Sequence, residues 1–253
     1  MIIEYHRPEK IEVALSLLNR AKPLTVPLGG GTVINQSSNV AYAVVDLQSL
    51  GLNKIEAKGN HLQIGATATL QSLLDVPHLD FALAKAIRHE ATYNTRQVAT
   101  VAGVMVAANG RSPFGTVMLG LGAELTLVPG EEKIQYGDLL PFRPKALKGK
   151  IITQIATPTN LKLAYEYVAR SPADLPIVCV CVAQWPSGRT RVALGGYGDS
   201  PLLAMDGPQP DGAEIAARDA YSEASDPWAS AEYRSDVAAR LTERALTAIE
   251  GVL

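Results

Sequence analysis

Pro27-Leu28-Gly29-Gly30-Gly31-Thr32-Val33 sets three consecutive glycines directly after the short apolar run Leu24-Thr25-Val26. A strand that runs into such a loop has two explanations. Glycines let backbone N–H groups approach a phosphate closely, giving an anion-binding concavity that needs no side chain. They also allow a tight turn from which Cβ atoms are excluded. Three glycines alone do not separate the two, so the surroundings must. Upstream, Ile11, Ala14, Leu15 and Leu18 fall at helical spacing after Pro8, which suits a first helical turn. Downstream, residues 43–47 (AVVDL) read as a second strand. Residues 1 to about 55 therefore read as a small α/β unit with the glycine loop after its strand.

Farther along, HLQIGATATLQSLL predicts a strand running into a helix that Thr67 or Thr69 can cap. Residues 81–97 are helical at first and then polar. The region ATVAGVMVAANGRSPFGTVMLGLGAELTLV combines small residues, an irregular middle at 109–113, a short helix and a strand at 124–128. Strand signals recur at 151–156, 164–168, 177–183 and 190–194. The stretch from 205 to about 227, rich in Gly, Pro, Asp and Ala, predicts an exposed connection. A final amphipathic helix from about 229 places Val237, Leu241, Ala245 and Ile249 on its apolar line, with Arg234, Asp236, Arg240, Glu243 and Arg244 on the rest.

Composition narrows the function classes. Of 253 residues, 47% are hydrophobic and 19% charged, enough to bury a core and too apolar for a disordered chain. A formal charge of -2 advertises neither nucleic acid nor an anionic membrane as partner. No apolar run approaches the roughly 20 residues that span a bilayer, and the N-terminal stretch lacks the pattern of a secretion signal. Cys179 and Cys181, in IVCVCVA, share one face of a strand among apolar neighbours and read as a buried structural pair, so the chain carries no iron–sulfur cluster of its own. His6, His61, His78 and His89 share no metal-ligand spacing. Neither a Ser-His-Asp order nor HExxH nor GxxxxGK[ST] occurs. These features predict a cytoplasmic protein with no metal site and no catalytic side chain of its own.

The order of the motifs carries more than any one of them. Tyr5–Pro8 (YHRP) is followed by GGGT at 29–32, IGATATL at 64–70, TRQVATVAG at 95–103 and LGLGAEL at 119–125. ARSPADLPIV at 169–178, VALGGYGDSP at 192–201 and SAEYRSDVAARLTERAL at 230–246 come next. This series resembles the flavin-binding, medium-sized subunit of the molybdenum hydroxylases, the xanthine dehydrogenase and carbon monoxide dehydrogenase family, from residue 5 to about 247. The resemblance implies an α+β fold. An FAD-binding domain of the p-cresol methylhydroxylase and vanillyl-alcohol oxidase type would occupy 1–160, with subdomains of about 1–55 and 56–160. A small C-terminal domain of antiparallel sheet and helices would occupy 161–253. It further implies that FAD receives electrons from a 2Fe-2S iron–sulfur subunit, itself supplied by a molybdopterin subunit, and passes them to NAD or another acceptor.

In that family the flavin diphosphate lies between two glycine-bearing loops, typified as AGGTD and TIGGN. The first corresponds to Gly29-Gly30-Gly31-Thr32-Val33, where Thr32 adds a hydroxyl and Val33 replaces a polar side chain while keeping its amide. The second corresponds to Thr100-Val101-Ala102-Gly103-Val104, with Ala102 in place of a glycine and Val104 in place of the asparagine. The family's nearby carboxylate is lost at Pro113. Asn109 and Arg111 are the substitutes expected here, an amide and a counter-charge for the diphosphate. Two readings follow: a flavin-bearing electron-transfer subunit, or a flavin-free relative that serves as a structural or assembly subunit. On the first reading, a side chain at Gly30 is expected to fill the space of the diphosphate.

Overall fold

The helical spacing after Pro8 produces helix Ile11–Leu18, which buries Ala14. Its N-cap is Lys10, so Pro8 precedes the helix and is not in its first turn. This helix links β1 (Ile2–His6) to β2 (Thr25–Leu28), and both strands pair in parallel with β3 (Tyr42–Asp46), in the order β1-β3-β2. Ala43, Val44 and Val45 are wholly buried in the middle strand, as expected where a parallel strand is covered on both faces. Ala14, Val45, Leu47 and Ile151 pack together as one core cluster. Because all three strands are parallel, their carboxyl ends share one edge, and the glycine loop leaves from it.

The structure, a computed structural model, describes residues 1–34 and 40–251. Residues 35–39 and 252–253, which fall inside the two expected domains, lie outside the described residues. The fold is mixed α/β, and its packing divides the chain into two compact units. The first comprises Met1–Val76, Tyr93–Ala107 and Glu124–Ala156; the second comprises Pro77–Thr92, Ala108–Ala123 and Thr157–Leu253.

The first unit holds a second sheet besides the parallel one. Its strands are β4 (Ile55–Lys58), β5 (His61–Gly65), β6 (Glu124–Val128), β7 (Glu132–Gln135) and β8 (Ile151–Pro158), in the order β4-β5-β8-β6-β7. Lys58 pairs with His61 across a two-residue turn, and Gly59 there has φ +59°, the conformation such hairpins require. Thr69 is the residue that caps the helix after β5, accepting from the Ser72 amide at 3.0 Å.

The second unit is built on an antiparallel sheet of β9 (Lys162–Val168), β10 (Val178–Gln184), β11 (Thr190–Gly195) and β12 (Leu202–Gly207), in the order β12-β11-β10-β9. On one face Val178, Val180, Val182, Val192 and Leu194 pack with Ala213 and Ala217 of helix Ala213–Ala220 and with Leu241, Ala245 and Ile249 of helix Ala231–Glu250. The other face meets helix Pro113–Gly120, all eight residues of which are buried. A Cβ on Gly120 would lie 2.6 Å from the Cys181 sulfur, so the glycine sets how closely helix and sheet approach. Both cysteines are free and fully buried. Burial pushes the Cys179 thiol up to about 12 and the Cys181 thiol up as well, which keeps both in the unreactive form.

Two expectations are corrected in this unit. The stretch expected as an exposed connection contains the end of β12 and helix Ala213–Ala220, with Ala213, Ala217, Tyr221 and Ala224 in the core. Arg234, expected on the polar face of the last helix, is fully buried. The Ile177 and Gly196 carbonyls, beside the start of β10 and the end of β11, need donors, and Arg234 Nη1 donates to both, to Gly196 O at 2.8 Å. Its Nη2 donates to Asp226 Oδ1 at 2.7 Å. Glu90, the last residue of helix Phe81–Glu90, is a second buried polar tie. Its Oε2 accepts from the Ser112 hydroxyl at 2.7 Å and the Phe114 amide at 3.0 Å, while burial holds its pKa above the usual carboxylate range.

Candidate functional site

β2 ends at Leu28 and delivers Gly29, Gly30 and Gly31 to the carboxyl edge of the parallel sheet. The next loop of the site ends in Thr100, which is 2% exposed and starts helix Val101–Ala107. Thr100 Oγ1 accepts from the Gly103 amide at 3.2 Å and its carbonyl accepts from Val104 N at 2.9 Å, fixing the first turn. The two glycine-bearing loops lie against each other. A Cβ on Gly29 would stand 2.6 Å from Thr100 Oγ1, and one on Gly30 would overlap the Val98 carbonyl, with Ala99 Cα at 3.1 Å. This corrects the expected role of Gly30. Its missing Cβ faces main chain of the neighbouring loop, so glycine is required there for two backbones to approach, not to leave room for a ligand.

The donors that result are unequally distributed. Among the described residues, no hydrogen bond engages the main-chain N–H groups of Gly29, Gly30 or Gly31. All three residues are half-buried, and Gly31 has φ +73°, turning the chain at the end of the run. Thr32 and Val33 follow as exposed residues. In the second loop the amides are spent: Val101 N on Ala68 O at 2.8 Å, Ala102 N on Ala66 O at 3.3 Å, and Gly103 and Val104 on Thr100. A diphosphate needs N–H donors, and the first loop keeps three of its own unspent among the described residues. The second loop, with Ala102 buried and its amides engaged, serves as a wall that positions the first.

Residues that sequence reasoning did not single out hold the glycine loop. Gln48 Nε2 donates to Gly29 O at 3.4 Å, and Gln48 N donates to Asp46 Oδ1 at 2.9 Å. Asp46, 6% exposed at the end of β3, also accepts from the Tyr5 hydroxyl, and that bond raises the tyrosine's pKa. Only Tyr5, in YHRP, had a signal in the sequence. Arg96 Nε donates to Gln71 Oε1 at 3.3 Å, tying the segment before the second loop to the helix after β5.

Asn109 and Arg111 belong to the second unit. Asn109 Oδ1 accepts from Arg111 N at 2.8 Å. The Arg111 guanidinium donates to Pro176 O at 3.0 Å and Leu175 O at 2.6 Å, and lies 4.5 Å from the centre of the Trp228 ring. Arg111 is therefore engaged in holding the 169–176 segment and Asn109 in bonding the Arg111 main chain, and in that segment the Asp174 carbonyl is also 2.8 Å from His89 Nε2. Among the described residues, no group of three or more His, Cys, Asp or Glu side chains forms a metal site, and no helix is long and apolar enough to cross a membrane.

Comparison with known proteins adds the context. Residues 1–160 match the family described as the FAD binding domain in molybdopterin dehydrogenase. The chain is 28% identical to the carbon monoxide dehydrogenase medium chain of Afipia carboxidovorans, over 96% of this chain and 95% of that one. It is 29% identical to the uncharacterized protein YgfM of Escherichia coli K12, over 81% of this chain and 79% of that one. Among solved structures, CO dehydrogenase from Oligotropha carboxidovorans superposes with a TM-score of 0.84 at 24% identity, covering 99% of this chain and 98% of that one. Quinoline 2-oxidoreductase from Pseudomonas putida 86 superposes with a TM-score of 0.80 at 20% identity, covering 98% and 97%. At these identities the structural matches establish the fold.

Proposed function

The chain belongs to the family of FAD-binding domains in molybdopterin dehydrogenases, and from that premise we propose that it binds FAD and serves as the flavin-bearing electron-transfer subunit of a molybdenum hydroxylase-type oxidoreductase. One observation supports this reading: three consecutive main-chain donors, Gly29 to Gly31, are unpaired among the described residues and lie beside a second loop that fixes their position. Hydrogen bonds from such amides to a charged phosphate contribute about 1.5–3 kcal/mol each. The Thr32 hydroxyl and the Val33 amide extend the row, while Thr100, Ala102 and Gly103 form the supporting wall. When bound, the isoalloxazine supplies the one- and two-electron chemistry, and the chain supplies binding, orientation and electrostatics. Electrons would come from a 2Fe-2S subunit fed by a molybdopterin subunit and leave to NAD or another acceptor, within a cytoplasmic complex. Residues 1–160 would form the flavin domain, of the p-cresol methylhydroxylase and vanillyl-alcohol oxidase type, and 161–253 the smaller C-terminal domain.

The test is purification of the chain, alone and with its partner subunits, followed by visible spectroscopy and flavin quantification. The two-banded spectrum of oxidised flavin and one FAD per chain are expected. A second reading, a flavin-free structural subunit, is favoured by the engagement of every amide from Val101 to Val104 within the chain. A colourless protein that still assembles with the partners, and that added FAD does not colour, would establish that reading and end the first.

A further inference from the structure

Arg7 stands one residue beyond β1, and its side chain is 56% exposed. The order β1-β3-β2 places Arg7, the Asp46–Ser49 segment and the Gly29–Gly31 loop side by side along the carboxyl edge of one parallel sheet, the edge at which open α/β sheets receive ligands. With strands about 4.8 Å apart, the ends of β1 and β2 are separated by about two such spacings, a gap that an extended arginine largely covers. A run of contacts joins the two. Arg7 Nε donates to Ser49 Oγ at 2.8 Å and lies 3.5 Å from Asp46 Oδ2, and Gln48 connects Asp46 to the Gly29 carbonyl. Nε is thereby fixed, while the two terminal NH2 groups of Arg7 make no hydrogen bond among the described residues. The buried Asp46 carboxylate would repel an anion held on the glycine amides, and Arg7 neutralises it where that repulsion would act.

We propose that Arg7 is a specificity-determining residue of this site: its terminal NH2 groups engage the diphosphate of a dinucleotide seated on Gly29–Gly31. A planar guanidinium with one nitrogen already anchored presents two parallel donors to phosphate oxygens at little further loss of freedom. The inference rests on the flavin reading of the same loop, and it deepens that reading by assigning recognition of the diphosphate charge to a side chain.

Calorimetric titration of the flavin-stripped chain with FAD, ADP and riboflavin tests it, in wild type, Arg7→Ala, Arg7→Gln and Arg7→Lys. Arg7→Ala is expected to weaken FAD and ADP roughly 10- to 100-fold, to leave riboflavin unchanged and to flatten the salt dependence of FAD binding. Arg7→Lys recovers part of the loss, because it restores charge without the fork. Arg7→Gln decides the matter if Arg7→Ala does not fold. Wild-type affinity for FAD in both uncharged variants overturns the proposal and leaves the flavin reading standing. An equal loss for FAD and riboflavin, accompanied by a lowered melting temperature, assigns Arg7 a structural role and also overturns it. A wild-type chain that binds neither FAD nor ADP removes both readings together.

Discussion

Replacing Arg234 with alanine is expected to cost about 3–5 kcal/mol of stability, the range seen when one partner of a buried charged pair is removed. For a chain of this size that corresponds to a fall on the order of 10 °C in melting temperature. The residue is fully buried, and it answers three acceptors from different parts of the second unit: the carbonyls of Ile177 and Gly196 and the carboxylate of Asp226. Alanine leaves two carbonyls without a donor and Asp226 without its counter-charge, and opens a void beside Tyr197, whose ring centre lies 5.3 Å from the guanidinium carbon. Arg234→Lys recovers only part, since an ammonium does not reproduce the planar fork. The effect carries a pH signature. Burial raises the Asp226 pKa, but Arg234 and the amides of Trp228 and Ala229 outweigh it, so the net shift is below 3.8. A depressed carboxylate pKa contributes stability that is present above the ordinary value and lost as pH falls through the folded one. The gap between wild type and Arg234→Ala should therefore narrow in acid, below about pH 4. Thermal and urea unfolding from pH 3 to 7 measure both effects; a variant within about 0.5 kcal/mol of wild type at pH 7 contradicts this assignment.

Gly30→Ala is expected to abolish retention of FAD, with an affinity loss of at least about a hundredfold, the equivalent of one or two charge-assisted amide bonds. The added methyl would overlap the Val98 carbonyl, which is main chain and has no rotamer to escape into. The two loops must separate, and with them the row of amides loses its supporting wall. Gly29→Ala is expected to be milder, because the atom it meets is the Thr100 hydroxyl at 2.6 Å. That hydroxyl can turn aside, at the cost of a helix cap worth about 1 kcal/mol. Flavin content after gel filtration, together with melting temperature, reads out the pair. Equal flavin content in Gly30→Ala and wild type would show that the loop apposition is unnecessary.

Much of the architecture was legible because its strands are apolar. β6 falls where the sequence places it, and β10 and β11 lie within one residue of their expected limits. The resemblance carried by the ordered motifs gave both glycine loops, and the loops do meet. What escaped were elements that bury little of their surface. β1 and β12 carry largely exposed or half-exposed residues, and helix Ala213–Ala220 buries only two alanines and follows a flank rich in Gly and Pro. Arg234 was unreadable for another reason: the carbonyls that demand it come from segments far away along the chain. The same holds for Gly30, since only the folded position of Val98 tells which side of a glycine is blocked. The engagement of the second loop's amides likewise depends on the 66–68 segment, which local sequence does not reveal.

On the proposed reading, the main-chain nitrogens of Gly29, Gly30 and Gly31, unbonded among the described residues, grip the diphosphate of FAD, with the second loop acting as their support. Amide hydrogen exchange followed by NMR, with and without FAD, tests it most directly. The account predicts strong protection at these three glycines on adding FAD, and little change at Val101 to Val104, whose amides are already bonded within the chain. Unchanged exchange at Gly29–Gly31 in a chain saturated with FAD would contradict it.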